Sequence, residues 1–291
     1  MTARATCAVV IAFCPQTAVL DNLAEVRPQV EGLVVVDNGS PAELLGPLRT
    51  AARELGFTLI ENEANLGIAA ALNTGVRWAK AQGFQYVALF DQDSTVTTGF
   101  CEAMLAQYGS HPERDRVAVV TPSQVERSTG RVRGHRFAKD GSPLIAITSG
   151  SLMPVDIFDR CGWFQEELII DCVDHEYCLR ARSQGYTIAE CRQAVLLVAV
   201  GSTTSHQTFG LAISARHYSA RRRYYITRNR LVMIQRFWRQ QPAWCCRTLQ
   251  DIVQDAIKAV LVEKEPWSKL AYTVRGVYDA FSGRMGRVVE L

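Results

Sequence analysis

Through its first ninety residues the chain alternates short runs of β-branched and aliphatic residues with longer amphipathic stretches. "CAVVIAF" (7–13), "GLVVVD" (32–37), "FTLIEN" (57–62) and "YVALFD" (86–91) read as buried strands. Between them "TAVLDNLAEVRPQV", "AELLGPLRTAARELG" and "GIAAALNTGVRWAKAQG" show helical spacing, and Pro28 ends or kinks the first of these. Strands separated by helices of this length predict βαβ units and a mainly parallel α/β sheet. In such sheets ligands bind beyond the carboxyl ends of the strands, where the strand order reverses. Polar strand ends are therefore the positions to inspect: Asp37 in "VVVDNGS", Asn65 in "NEANLG", and Asp91 and Asp93 in "ALFDQDS".

From Val117 the pattern loosens into "VAVVTP", a hairpin-like "ERSTGRVRGHRF", and "LIAITSGSLMPVDIF". The last third reads helical, in "DHEYCLRARSQG", then a long stretch from Ser214 to Gln240, then "TLQDIVQDAIKAVLVEKE". No repeat or low-complexity linker interrupts the chain. We expect a core over 1–210, in two halves at about 1–95 and about 96–210. A basic helical extension over 211–291 would pack on it.

Composition narrows the class. The longest apolar run, "AVLLVAVG" at 194–201, suits a core strand and falls short of the roughly 20 residues that span a bilayer. The N-terminus shows no cleavage pattern and reads as the first strand of a cytosolic protein. Nine cysteines without metal-site spacing read as reduced, mostly buried thiols. Charge is uneven: Gln207 to Gln250 holds nine Arg and no Asp or Glu, which predicts an anionic neighbour for that segment.

Each candidate motif has a plain reading beside a chemical one. Asp91 and Asp93 flank Gln92 just past a strand; they either cap a turn or offer two hard oxygen ligands to Mg²⁺ or Mn²⁺. Asp37 before Asn-Gly either builds a turn or accepts a hydrogen bond from a base or sugar. Asp171, Asp174 and Glu176 crowd a helix start, where the helix dipole favours carboxylates, and one of them could serve as a general base. Arg180, four residues after Glu176, suits a helix-face ion pair. His206 is either an ordinary histidine or a metal ligand. The helix "ARRRYYITRNRLVMIQRFWR" interleaves Arg with aromatics, as a solvated face, a phosphate grip or an anionic membrane surface would; no nucleic-acid motif accompanies it.

The order of these motifs is more specific than any one of them. "VVVDNGS", "NEANLGIAAALNTG", "ALFDQDS", "TSGSLMP", "FQEELIIDCVDHEYCLRARSQGY", a later His and "YYITRNRL" resemble the inverting family 2 glycosyltransferases. Their fold is the GT-A nucleotide-diphosphosugar transferase fold. "DQDS", "IDCVDHEYCLR" and "RRYYITRN" look most like the bacterial dTDP-L-rhamnose-dependent rhamnosyltransferases. The resemblance runs from about residue 7 to about 280. It implies Asp37 and Asn65 against the nucleoside, Asp91, Gln92 and Arg228 on the nucleotide sugar, and Asp93 with His206 at the divalent metal. It also implies Asp174 as catalytic base, with Ser149, Gly150, Glu176 and Asn229 on the acceptor side. Where similar enzymes read Thr-Tyr/Phe-Asn-Pro after the first strand, this chain has Ala12-Phe13-Cys14-Pro15.

The implied reaction is inverting transfer of L-rhamnose to a glycan or glycolipid hydroxyl of O-antigen, lipopolysaccharide, cell-wall or rhamnolipid type. The expected location is the cytoplasmic face of the inner membrane, reached through the Arg-rich helix. The rival readings are another donor, such as a UDP-hexose or UDP-galactofuranose, and a nucleotide-sugar-binding peripheral membrane protein without catalysis.

Overall fold

Cys7 to Ala12 carry only apolar side chains, all buried, and the strand that contains them, β1 (Thr6–Ala12), has a parallel partner on each side. A computed structural model describes residues 5–198, 203–208, 211–216, 218–261, 263 and 265–290. They fall into two units, Met1–Gln165 with Asp174–Ala199, and Glu166–Val173 with Val200–Leu291.

In the first unit β1 lies between β2 (Gly32–Asp37) and β4 (Tyr86–Asp91), both parallel to it, and β3 (Thr58–Glu61) continues parallel beyond β2. Beyond β4 the order is β8 (Leu152–Pro154), β6 (Val117–Glu126), β9 (Thr187–Val198) and the short β5 (Thr95–Val96); β7 (Val132–Arg133) pairs with β6. β8 runs antiparallel to both neighbours, and β6 and β9 run parallel. The described residues thus form a mixed, mostly parallel nine-stranded sheet, the expected α/β class. The chain builds outward from β1 to β3 and then returns to β4 on the other side of β1, so the order reverses between β1 and β4.

Helices α1 (Ala18–Val26), α2 (Gly46–Leu55) and α3 (Ile68–Ala81) join these strands. Pro28 ends α1 as predicted: the helix gives way to a 3₁₀ turn over Arg27–Gln29. A Cβ on Gly75 of α3 would lie 2.3 Å from Cγ1 of Val9, so only glycine lets the helix approach β1 this closely. Helix α4 (Phe100–Ser110), which the sequence pattern did not announce, buries Phe100, Cys101 and Met104 in the core shared with β4, β6 and β9. The short α5 (Ile157–Arg160) precedes α6 (Val173–Ser183).

The second unit contains the hairpin of β10 (Thr203–Thr208) and β11 (Leu211–Arg216), then helices α7 (Ala220–Phe237), α8 (Pro242–Leu261) and α9 (Pro266–Ser282). The expected helix from Ser214 is corrected at its start. Residues to Arg216 are strand, and α7 begins after Ser219, whose hydroxyl accepts the Arg222 N–H as an N-cap. Helix α9, inside the expected helical extension but not delimited by the sequence pattern, starts with Pro266 in its first turn.

Candidate active site

The four parallel strands end in line. Register pairs Ala12 with Asp37, Asp37 with Glu61, and Ile11 with Asp91, so their carboxyl ends form one edge. Asp37 is fully buried there. One carboxylate oxygen accepts the N–H groups of Gly39 (3.1 Å) and Ser40 (2.9 Å), and the other accepts the Ser40 hydroxyl at 2.5 Å. The turn reading of Asp37 is therefore present in full, and the carboxylate shapes the loop.

Two residues that sequence reasoning passed over complete this edge. The Asn38 side-chain oxygen accepts from the Asn62 amide (3.3 Å) and the Leu66 N–H (3.0 Å), while its amide donates to the Asn65 side-chain oxygen (3.1 Å). Asn65 also accepts from Gly67 N–H at 3.0 Å. Gly39 has φ +85°, and a Cβ there would fall 2.2 Å from the Ala64 carbonyl carbon. The loops after β2 and β3 are thus pinned into one surface, which only a glycine at 39 permits. Arg49 holds the Glu61 carboxyl below its ordinary range by a paired hydrogen bond of 2.8 and 2.6 Å.

At the β4 end the side-chain amide of Gln92 makes two bonds to Phe13, accepting its N–H (3.0 Å) and donating to its carbonyl (3.1 Å). Gln92 therefore ties the β4 loop to the β1 loop, and Asn22 of α1 adds a bond to its carbonyl at 2.8 Å. At the departure from the family pattern, the Cys14 N–H donates to the Ser40 hydroxyl at 2.7 Å, with φ at 45°.

Ser149, expected on the acceptor side, is buried behind Asp91. Its hydroxyl accepts the Asp91 N–H (3.1 Å) and is hydrogen-bonded to the Ser94 hydroxyl (2.6 Å). Gly150 at φ +81° donates to the Leu89 carbonyl and is hemmed in by Pro122 and Leu196. The backbone of "DQDS" is thereby fixed from behind, with Asp91 half-buried and Asp93 exposed. Among the described residues no three His, Cys, Asp or Glu converge. Two carboxylates on a fixed turn fit a hard divalent ion whose remaining ligands are phosphate oxygens and water.

A second acidic region follows. Asp174, in the first turn of α6, lines a small cavity with Ile147, Thr148, Ser151, Tyr177 and Cys178. One of its oxygens accepts the His175 N–H at 2.8 Å. Burial pushes the Cys178 thiol up to about 12 and the Tyr177 phenol higher still, so both stay neutral beside the carboxylate. The TSGS loop and the acidic motif, far apart in sequence, meet here.

Glu176 does not share this cavity. It is 2% exposed and pairs through both oxygens with Arg180, at 2.8 and 2.9 Å. Arg180 also donates to the carbonyls of Cys161 and Trp163. Burial disfavours the charged guanidinium, but the Glu176 carboxylate more than offsets this, and its pKa is raised. The helix-face pair foreseen in the sequence is a buried one that clamps the 161–163 turn.

In the second unit Ile169, Asp171 and Cys172 hold φ of 64°, 61° and 65°. Three left-handed non-glycine residues in four positions cost about 1–3 kcal/mol each and persist only where the surroundings hold them. Asn229 supplies that hold, donating to the carbonyls of Leu168 (2.8 Å), Ile170 (2.8 Å) and Asp171 (3.0 Å). Arg228 is 0% exposed, donates to the carbonyls of Glu167 and Gly286 and to the Asn229 side-chain oxygen, and lies over the rings of Tyr224 and Tyr225. Both Arg228 and Asn229, expected at the phosphate and acceptor, are enclosed, and "TRN" clamps the segment that carries Asp171. Asp171 itself pairs with Arg222 at 3.1 Å. His206 is on β10, opposite Ile213, and its side chain lies outside the described residues.

The strand order reverses beside Asp37, Asp91 and Asp93, and a further carboxylate, Asp174, lines a cavity of the same unit. The model of Glycosyl transferase family 2 matches residues 9–165, more than half of the chain, and the chain belongs to that family. Over 292 residues it is 25% identical to the dTDP-rhamnosyl transferase RfbF of Shigella flexneri, covering 96% of this chain and 95% of that protein. GalNAc-T7, solved with UDP, GalNAc and Mn²⁺, is similar at TM-score 0.62 and 11% identity over 97% of this chain, which spans 58% of its length. The mannosyltransferase PcManGT of Pyrobaculum calidifontis, solved with GDP-Man and Mn²⁺, is similar at TM-score 0.56 and 18% identity, over 99% of this chain and 76% of its own. These two likenesses show the fold.

Proposed function

We propose that this glycosyltransferase transfers L-rhamnose from dTDP-β-L-rhamnose to a hydroxyl of a glycan or glycolipid, with inversion to an α-L-rhamnoside. The observation that carries the donor assignment is the end-to-end similarity to RfbF. In this reading the pinned loops after β2 and β3, with Asp37 and Asn65, receive the nucleoside, and Asp91 and Gln92 border the sugar diphosphate. Asp93 holds Mg²⁺ or Mn²⁺ with Asp91 beside it. The ion, when bound, neutralises charge on the departing diphosphate.

The chain's own residues do the rest. Asp174 takes the proton from the acceptor hydroxyl as that oxygen attacks the anomeric carbon from the face opposite the leaving group. The neutral, mostly apolar lining of its cavity keeps water from competing for the sugar. Ser149 and Ser94 fix the turn carrying Asp91, so little reorganisation is needed as charge moves to the diphosphate.

The test is nucleotide release from a donor panel with Mg²⁺ or Mn²⁺ and rhamnose-accepting glycans. Acceptor-dependent release of dTDP is expected, with UDP-hexose and UDP-galactofuranose inert. Release of UDP in place of dTDP would refute the donor assignment while leaving the glycosyltransferase intact.

A further inference from the structure

The step from Phe13 to Cys14, where β1 leaves the sheet, is held against its own local preference. Cys14 has φ of 45°. Few side chains other than those of asparagine and aspartate tolerate left-handed backbone, and a following proline, here Pro15, favours an extended conformation at 14. Both side chains are exposed, so burial of neither one imposes the turn.

Two polar side chains on different loops supply the hold. From the turn after β4, the Gln92 amide accepts the Phe13 N–H at 3.0 Å and donates to the Phe13 carbonyl at 3.1 Å, satisfying both main-chain groups of that residue. From the loop after β2, the Ser40 hydroxyl accepts the Cys14 N–H at 2.7 Å and donates to the Asp37 carboxylate. Gln92 is seated in turn by α1: the Asn22 amide donates to its carbonyl at 2.8 Å, and the Asn22 side-chain oxygen accepts the Thr95 hydroxyl. Asp37, Ser40 and Cys14 are thus linked on one side, and Phe13 and Gln92 on the other, with a single peptide bond between the two links. Gln92 lies between Asp91 and Asp93 in the chain.

Hydrogen bonds at a solvent edge add little to global stability, because water replaces them when they open. A disfavoured backbone conformation kept by such bonds has two states, the clipped one seen here and a released, extended one. A ligand that favours one of two states shifts the whole equilibrium, and two ligands that favour the same state strengthen each other. A nucleoside on the loops after β2 and β3 would steady Ser40; a divalent ion on the DQDS turn would steady Gln92.

We infer that Gln92 and Ser40 are positioning residues that couple the two ends of the donor site through the Phe13–Cys14 step, so that ion and nucleoside tighten each other's binding without touching. The inference rests on the reading of this edge as the donor site and is independent of which nucleotide the donor carries.

The experiment is calorimetric titration of the full chain with thymidine, which has no phosphate to bridge to an ion, with and without saturating Mn²⁺, and with uridine in parallel. In the wild type Mn²⁺ should tighten nucleoside binding by about fivefold or more. Gln92→Ala and Ser40→Ala should each bring that factor close to one. Cys14→Asn, whose side chain tolerates the left-handed region, should bind the nucleoside without metal about as tightly as the wild type does with it. Added to Gln92→Ala, it should recover the lost affinity, and it decides the matter even if a clip variant folds poorly. A purely structural role for the clips would lower affinity equally with and without metal and would gain nothing from Cys14→Asn. That pattern, or a wild-type factor of one for a nucleoside that binds, would overturn the inference and leave the donor site standing. Coupling with uridine and none with thymidine would uphold the inference and refute the dTDP assignment. Absence of binding by either nucleoside would overturn both the inference and the reading of the edge.

Discussion

The two acidic motifs look alike in sequence and are put to different use. In "DQDS" the protein fixes the backbone: Ser149 and Ser94 hold the turn from behind, Gln92 ties it to Phe13, and Asp93 is exposed. In "IDCVDHEYCLR" two of the three carboxylates are taken by arginines. Glu176 is locked to Arg180 and Asp171 pairs with Arg222, while Asp174 lines a cavity. A carboxylate can neutralise cationic charge or accept a proton only if no protein cation already claims it. Ion pairing within the fold, more than the count of acids, separates the two motifs.

That contrast can be broken by substitution, beginning with the largest effect. Asp174→Asn should lower transfer by roughly 10²–10⁴-fold while nucleotide binding holds, read by donor turnover beside calorimetry with dTDP and metal. Near wild-type turnover would move the base elsewhere. Glu176→Ala should act on stability, costing about 3–5 kcal/mol because it strands the Arg180 guanidinium in the interior, as seen in denaturant unfolding. If unfolding hardly changed but turnover fell, Glu176 would belong with Asp174 after all. Asp93→Ala should leave folding unchanged and weaken metal-dependent dTDP binding by roughly 10–100-fold, the scale of one contact to a charged group at about 1.5–3 kcal/mol. Binding that no longer responds to metal in the wild type would remove the ion from the reading.

Much of the fold was legible because hydrophobic periodicity is a local property. β2 and β4 were read to the residue from "GLVVVD" and "YVALFD", and the Pro28 break in α1 followed from a missing N–H and a fixed φ. What escaped was set at longer range. Helix α4 carries a weak stripe, and its burial is decided by the strands it packs on. The strand before α7 depends on pairing with β10, which no local pattern announces. Asn38 and Asn62 were missed because an asparagine after a strand looks like any turn former until its partner on the neighbouring loop is known.

The sequence by itself determined the alternation that makes the sheet, the polar strand ends and the order of motifs that marks a family 2 glycosyltransferase. It also exposed the run of nine arginines with no acid among them, and so predicted an anion beside it. Only tertiary structure decided that these anions are largely the protein's own: Asp171, Glu167, Asp255 and Glu263, brought from outside the run. Charge along a chain is a sum over neighbours in sequence, whereas electrostatic energy is a sum over neighbours in space. Folding sets the second, and it places four of these arginines in ion pairs within their own unit.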